Sequence, residues 1–159
     1  MLPERVGRDA AWDRDLFVLS IPRPEEMPAL VLSSPRFVCL LAWDARTATV
    51  EEISVLARRL LDAGAVYICS WGPGCERVHD IIDEEQVGDG TVTTESVVMT
   101  TWHDDEPLAD TLDFVLTTAI PDDAYMEGCG STLAIAIGSE QWTAEIRETF
   151  SRHAGGLRW

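Results

Sequence analysis

The fold is decided by the segment Phe37–Trp71, which reads FVCLLAW, DARTAT, VEEISVLARRLLDAG and AVYICSW. The two outer pieces are continuous apolar runs of strand length, which is typical of strands buried on both faces of a sheet. The helical piece between them begins with a capping box, Thr49 to Glu52, and ends at Gly64. A strand, a helix and a second strand in this order predict a parallel βαβ unit.

The same alternation of strands and helices continues after this segment. The predicted elements are a helix over 75–86, a strand over 96–102, a helix over 104–120, a strand over 131–138 and a last helix capped by Ser139. We therefore expect an α/β fold, a Rossmann-like three-layer α/β/α sandwich with a mainly parallel sheet. At least four strands should start near Phe37, Ala65, Ser96 and Ser131. A flavodoxin-like order is favoured, in which the first and the third of these strands are adjacent.

The chain is predicted to divide into a lead-in over 1–35, a single α/β domain over 36–154 and a tail over 155–159. Within the lead-in, Leu16–Ile21 reads LFVLSI and predicts a strand. Four prolines follow at 22, 24, 28 and 35. Because proline is confined to the edges of sheets and to connections, we expect this strand at an edge.

The charge of the chain limits the partners it can bind. Acidic residues number 28 against 12 basic ones, which gives a net charge of −16. This balance argues against nucleic acid and anionic membranes as partners, and it permits a basic protein partner. The alternative is an acidic surface that only keeps the protein soluble. The oligomeric state is left open.

The amino terminus and the cysteines indicate a cytoplasmic protein. No apolar run approaches the roughly 20 residues that span a bilayer, and the first residues lack the pattern of a secretory signal. Cys39 and Cys69 lie inside apolar strands and are expected to be buried thiols. We predict no disulfide at Cys39.

Polar and aromatic side chains follow the predicted strands, and parallel strands place their carboxyl ends at one edge of a sheet. The ligand-binding candidates at this edge are Asp44, Trp71, Cys75, His79, Trp102, His103 and Asp104, and Gly138 and Ser139 follow the fourth strand. We expect Asp44, Trp71, His79 and His103 around one depression. The alternative is that the acids cap helices and that the tryptophans fill the end of the sheet.

The segment WGPGC, residues 71–75, resembles the WCGPC of thioredoxins, which also lies between a strand and a helix. It lacks the first cysteine, so no C-x-x-C dithiol exists. Cys75 could be a lone reactive thiol, because a helix amino terminus lowers a thiol pKa and His79 lies one turn further on. Alternatively, Cys75 is a small residue packed under the loop. The catalytic candidates are Cys75, His103 and Asp44.

Two metal sets are conceivable from residue types. One is a zinc set of Cys75, His79, His103 and Cys129; the other is a magnesium set of Asp44 with Asp104 and Asp105. Neither has a diagnostic spacing, and the D-x-D of haloacid-dehalogenase-type phosphatases is absent because Arg46 occupies its second position. No cofactor motif occurs, and we predict neither a metal nor a cofactor.

The motifs WGPGCERVHD, residues 71–80, and TTWHDDEP, residues 100–107, resemble those of a small, uncharacterised bacterial α/β family. The resemblance covers Phe37 to Phe150 and implies no activity. Together these observations favour a binding or regulatory domain with a site at the carboxyl edge of the sheet. The alternative is a small hydrolase or thiol-dependent enzyme that uses Cys75 or the group Asp44, His103 and Asp104.

Overall fold

A computed structural model describes residues 2–87 and 97–156, and these form an α/β fold with one six-stranded sheet. The elements are β1 (Glu4–Asp9), β2 (Arg14–Ile21), a 3-10 turn (Pro24–Glu26), β3 (Arg36–Trp43), α1 (Val50–Ala63), β4 (Ala65–Trp71), α2 (Cys75–Val87), β5 (Met99–His103), α3 (Leu108–Thr117), α4 (Asp123–Met126), β6 (Cys129–Ile137) and α5 (Glu140–Ala154). The strand order is β1-β2-β6-β3-β4-β5. β1 and β2 are antiparallel, and the other four neighbouring pairs are parallel. The predicted mainly parallel sheet is thus confirmed.

The expected strand adjacency is wrong. The first and third predicted strands are β3 and β5, and β4 lies between them, while β6 lies on the other side of β3. Each short crossover, through α1 and then α2, carries the chain only to the neighbouring position. The place of β6 is set by tertiary packing, which the local sequence does not encode. The third strand is also shorter than expected: it is described from Met99 to His103, and its predicted start at Ser96 lies outside the described residues.

The strand expected at an edge is an interior strand. β2 pairs with β1 on one side and with β6 on the other, so the edge is formed by β1. The prolines do not prevent this position, because they all follow Ile21 and lie in the connection to β3. β1 reads ERVGRD, and this sequence has no regular apolar alternation that would predict a strand. Its pairing with β2 also contains a register shift between Arg5 and Gly7.

Helices cover both faces of the sheet. One buried cluster includes Ile53 of α1 and Ile81 of α2, and the other includes Leu112 of α3 and Phe150 of α5. Thr49 caps α1 as predicted, since its side chain accepts a hydrogen bond from the Glu52 N–H at 3.1 Å and donates one to the Glu52 carboxylate at 3.1 Å. In the described parts of the chain, no helix is long and apolar enough to cross a membrane.

Gly64 ends α1 at a position that only glycine fits. Its φ is 111°, and a Cβ there would lie 2.1 Å from the carbonyl oxygen of Pro35. The resulting close turn leads directly into β4 and sets the register of the central strands, with Phe37 opposite Ala65.

Candidate functional site

A crevice opens at the carboxyl edge of the sheet, where β3 and β6 end side by side with Trp43 opposite Ile137. The chain leaves β3 toward α1 and leaves β6 toward α5, and these helices pack on opposite faces of the sheet. Two neighbouring strands whose following helices diverge in this way form a topological switch point, the usual ligand site of open α/β sheets. This edge therefore has the geometry of a ligand site in an open α/β sheet.

The crevice forms part of a longer groove made of three adjoining depressions, which we call the carboxyl-edge groove. The middle depression, of about 470 Å³, lies over the crevice and includes Asp44, Thr47 and Trp142. The first, of about 620 Å³, lies between β2 and α5 and shares Gly138 and Ser139 with it. The third, of about 290 Å³, lies at the start of α1 and shares Glu25 and Glu52 with it. The groove is thus elongated rather than a single closed cavity.

Acidic side chains dominate the groove. The described residues that line it include six carboxylates, Glu4, Glu25, Asp44, Glu51, Glu52 and Glu140, and two arginines, Arg23 and Arg147. Arg147 forms an ion pair with Glu4 at 2.9 Å, and Arg23 forms ion pairs with Glu26 at 3.1 Å and with Glu25 at 3.4 Å. Both arginines are therefore already neutralised by carboxylates.

Asp44 is the predicted site residue that lies in the groove. Its carboxylate accepts hydrogen bonds from the Arg46 guanidinium at 2.9 and 2.7 Å and from the Arg46 N–H at 3.2 Å. These hydrogen bonds lower the pKa of Asp44, so its negative charge is retained well into acid solution. Asp44 already pairs with a positively charged group, the Arg46 guanidinium, and it is poorly suited to act as a base near neutral pH.

Tryptophan side chains form the wall of the crevice. Trp142 lines the middle depression, and its ring meets the edge of the Trp71 ring at a centroid distance of 5.0 Å. The Trp71 indole N–H donates to the carbonyl of Glu106 at 2.9 Å. Trp71 therefore stands behind Trp142 and ties the end of β4 to the segment after β5.

His103 lies at the same edge of the sheet as Asp44 but is packed inside the protein. Its ring nitrogens lie 2.9 Å from the Thr101 hydroxyl and 3.3 Å from the Glu106 carboxylate, and its ring contacts Phe114 of α3 at a centroid distance of 4.6 Å. β4 separates β5 from β3. His103 is not among the described residues that line the groove.

His79 and Trp102 come together on the opposite face of β5. Their rings lie 4.6 Å apart, and His79 contacts Asp80 at 2.9 Å and Asp83 at 3.4 Å. Consecutive residues of a strand point to opposite faces, so Trp102 faces α2 whereas His103 faces α3. The two histidines thus belong to separate clusters.

Cys75 has the environment of a structural thiol. Only 2% of the residue is exposed, and burial raises its pKa. This outweighs the helix amino terminus, which would lower the pKa. Asp104, beside it, is an exposed acid whose charge opposes thiolate formation. All four cysteines are buried free thiols, which includes Cys39.

The proposed zinc set is not assembled. Cys129 begins β6 and lies at the amino edge of the sheet, the end opposite to Cys75 and His103. Across residues 2–87 and 97–156, no group of three His, Cys, Asp or Glu side chains is placed to hold a metal ion. Within the same residues, Asp44, Asp104 and Asp105 do not form a group that could hold a magnesium ion.

Several groove residues were not identified from the sequence. Trp142 and Glu52 lie in predicted helices, and Arg23 and Glu25 lie in the proline-rich connection. One signal was present: Trp142 follows Ser139 by three residues, and the Ser139 hydroxyl accepts from the Trp142 N–H at 3.2 Å. A large aromatic residue in the first turn of a helix at the carboxyl edge must lie close to the strand ends.

The fold and the groove define a mostly parallel α/β domain with an open crevice at the carboxyl edge of its sheet. The chain belongs to the family described as Domain of unknown function (DUF7684), whose model matches residues 16–153. An uncharacterised family was expected, and the match begins earlier than Phe37 and includes most of β2. No curated protein and no solved structure matches the chain.

Proposed function

We propose that this protein is a non-catalytic binding domain whose carboxyl-edge groove holds an extended, basic segment of a partner protein. The observation that carries the proposal is the open groove at the switch point, lined by six carboxylates and two ion-paired arginines. An elongated groove suits a peptide chain better than a compact metabolite. Trp142 and Pro24 supply apolar surface for the stems of lysine or arginine side chains.

The dipoles of two helices oppose the negative charge of the groove only in part. The amino ends of α1 and α5, with their caps Thr49 and Ser139, both line the groove. Each helix amino terminus carries roughly half a positive charge. Two such ends offer about one positive charge and Arg46, bound to Asp44, offers another, against the excess of four carboxylates among the lining residues. The net potential therefore favours a cationic ligand.

The alternative of a thiol-dependent enzyme or hydrolase has less support. Cys75 is buried with a raised pKa, and Asp44 is bound to Arg46 with a lowered pKa.

Packing of helices on both faces supports extending the fold to a Rossmann-like three-layer sandwich. Four free, buried thiols support a cytoplasmic location.

The test measures binding of a fluorescein-labelled decapeptide that alternates arginine with alanine. The variant Asp44→Asn/Glu52→Gln removes two groove charges without changing side-chain size, and the amide oxygen introduced by Glu52→Gln can still accept the hydrogen bond from the Thr49 hydroxyl. We expect the dissociation constant, from fluorescence anisotropy, to rise by about tenfold, which is roughly 1.4 kcal/mol.

The matched control is Asp123→Asn/Glu127→Gln, which removes two exposed charges in and after α4, at the opposite edge of the sheet. The control should change the dissociation constant by less than about twofold, because distant surface charges are screened at physiological salt. Equal losses in both variants would mean that only the net charge matters. Stronger binding of a glutamate-containing peptide would show that the helix amino ends dominate. Either result contradicts the proposal.

A further inference from the structure

The two edges of the sheet differ in how they are protected against pairing with another strand. β1 carries Glu4, Arg5 and Arg8 and a register shift, which are devices that discourage edge-to-edge pairing. β5 reads MTTWH, pairs with β4 without a register shift and contains no lysine, arginine or proline. Within the described parts of the chain, β5 is the last strand of the sheet. Its outer side pairs with no strand among residues 2–87 and 97–156.

Two exposed apolar side chains flank this edge, Met99 on the face of α3 and Trp102 on the face of α2. Met99 is 41% exposed and Trp102 is 45% exposed, although both belong to a strand whose neighbour β4 is almost entirely buried. Trp102 is held in place by the His79 ring, and Thr100 donates to Asp83 at 2.6 Å. An ordered, half-exposed tryptophan is typical of the centre of a protein interface.

The charges around β5 indicate the chemistry of the partner. Asp80 and Asp83 lie beside Trp102 on the α2 side, and their side chains are 63% and 45% exposed. Asp104 and Asp105 follow the strand directly and are exposed. The nearest arginine on α2, Arg77, is directed to the carbonyls of Ala45 and Ala48 instead. A lysine or arginine placed over the Trp102 ring would meet both an aromatic face and carboxylates.

We propose that β5 is a second binding surface, separate from the carboxyl-edge groove, which accepts an extended basic segment of a partner protein as an added strand. Backbone hydrogen bonds along β5 provide affinity, and contacts with Met99, Trp102 and Asp80 provide selectivity for apolar and basic side chains. A second copy of this chain fits poorly, because each copy carries a net charge of −16 and places the same carboxylates at the edge.

The test uses a labelled decapeptide that alternates arginine with threonine and valine, measured by fluorescence anisotropy against the full chain. The first variant is Met99→Lys, which places a charge on the edge strand. Its matched control is Met126→Lys, since Met126 is 39% exposed but lies in α4. We expect Met99→Lys to weaken binding by at least about tenfold and Met126→Lys to change it by less than about twofold.

A second variant and a second peptide separate strand addition from simple charge attraction. Trp102→Ala should also weaken binding by about tenfold, with circular dichroism used to confirm that the variant is folded. The same peptide with every backbone N–H replaced by N–methyl keeps its charges but cannot form a strand, and we expect it not to bind. Amide hydrogens of residues 99–103 should exchange more slowly when the unmodified peptide is bound.

Four outcomes would overturn the inference. They are no measurable binding of the unmodified peptide, equal binding of the N-methylated peptide, equal effects of Met99→Lys and Met126→Lys, and a dimer in sedimentation that Met99→Lys dissociates. The last would assign the edge to a second copy of the chain. Loss of binding with Asp44→Asn/Glu52→Gln but not with Met99→Lys would place this peptide in the groove instead, so the two proposals fail separately.

Discussion

Replacing Gly7 by alanine should destabilise the contact between β1 and α5. A Cβ at position 7 would lie 2.4 Å from the Cβ of Ala154, the last residue of α5. Two carbon atoms in contact are separated by roughly 3.5–4.0 Å, so the strand and the helix must move apart by more than about 1 Å. Overpacking of this kind costs about 1–3 kcal/mol, and the reduced entropy of the unfolded chain offsets about 0.4–1 kcal/mol. The expected net loss is about 1–2 kcal/mol.

The structure also predicts a compensating substitution. Ala154→Gly removes the atom that the new methyl group would strike, and alone it should cost no more than about 1 kcal/mol because it lies at the end of the helix. In the double variant the two effects should partly cancel, so the coupling energy is expected to be about 1–2 kcal/mol. The control is Ala144→Gly, which changes an exposed residue of the same helix and should add to Gly7→Ala without coupling.

Urea unfolding of the wild type, the single variants and both double variants measures this coupling through the free energy of unfolding. Additive behaviour of Gly7→Ala and Ala154→Gly would refute the packing of α5 on β1. That packing matters for function, because Glu4 of β1 and Arg147 of α5 form one wall of the carboxyl-edge groove. Weaker peptide binding by Gly7→Ala, restored in the double variant, would link this wall to the proposed function.

Two further predictions concern buried side chains. Burial raises the pKa of Cys69 from about 9.0 to about 12. The unfolded thiol therefore ionises first, and this thiol alone should lower the free energy of unfolding above pH 9 by up to about 1.4 kcal/mol per pH unit, in addition to the falls from Cys39, Cys75 and Cys129, whose pKa values burial also raises. Urea unfolding between pH 8 and pH 11 checks this, and an equally steep fall in Cys69→Ala would contradict it. His103→Ala should lower the free energy of unfolding by about 2–3 kcal/mol while unfolding remains cooperative, since the contacts with Thr101, Glu106 and Phe114 are lost. A loss below about 0.5 kcal/mol would show that these contacts contribute little.

Much of the fold is encoded locally and could be predicted. The apolar runs of β3, β4 and β6 and the signals at Thr49, Gly64 and Ser139 each specify one element without help from the rest of the chain. β1 could not be predicted, because its sequence is charged and its register is irregular. It is a strand because it pairs with β2. The position of β2 within the sheet also depends on β6, which lies more than a hundred residues further along the chain.

From the sequence, the candidate residues could be assigned to the edge of the sheet where the groove lies, but not to the groove itself. Strand ends identified Asp44, Gly138 and Ser139, which line the groove, and also His103, which is packed against α3. The sequence pattern predicts the same position, at the carboxyl edge, for the residues that follow every strand. What distinguishes them is which strand ends lie side by side and which are bridged by a side chain, and both depend on tertiary packing.

The packing of the helices does not by itself explain why the groove lies over β6 and its neighbours rather than beside β5. The chain leaves β4 toward α2 on one face and β5 toward α3 on the other, so these strand ends diverge as those of β3 and β6 do. At β4 the gap is closed, because the Trp71 indole bridges to the carbonyl of Glu106. After β6 come Gly138, with a φ of 77°, and Ser139, whose short side chain accepts a hydrogen bond from Trp142 of its own helix. Among the described residues, neither has a side chain that reaches across the groove. Open space at this edge therefore depends on whether a large side chain bridges neighbouring segments: the Trp71 indole does so at β4, whereas the small residues Gly138 and Ser139 follow β6 and line the groove.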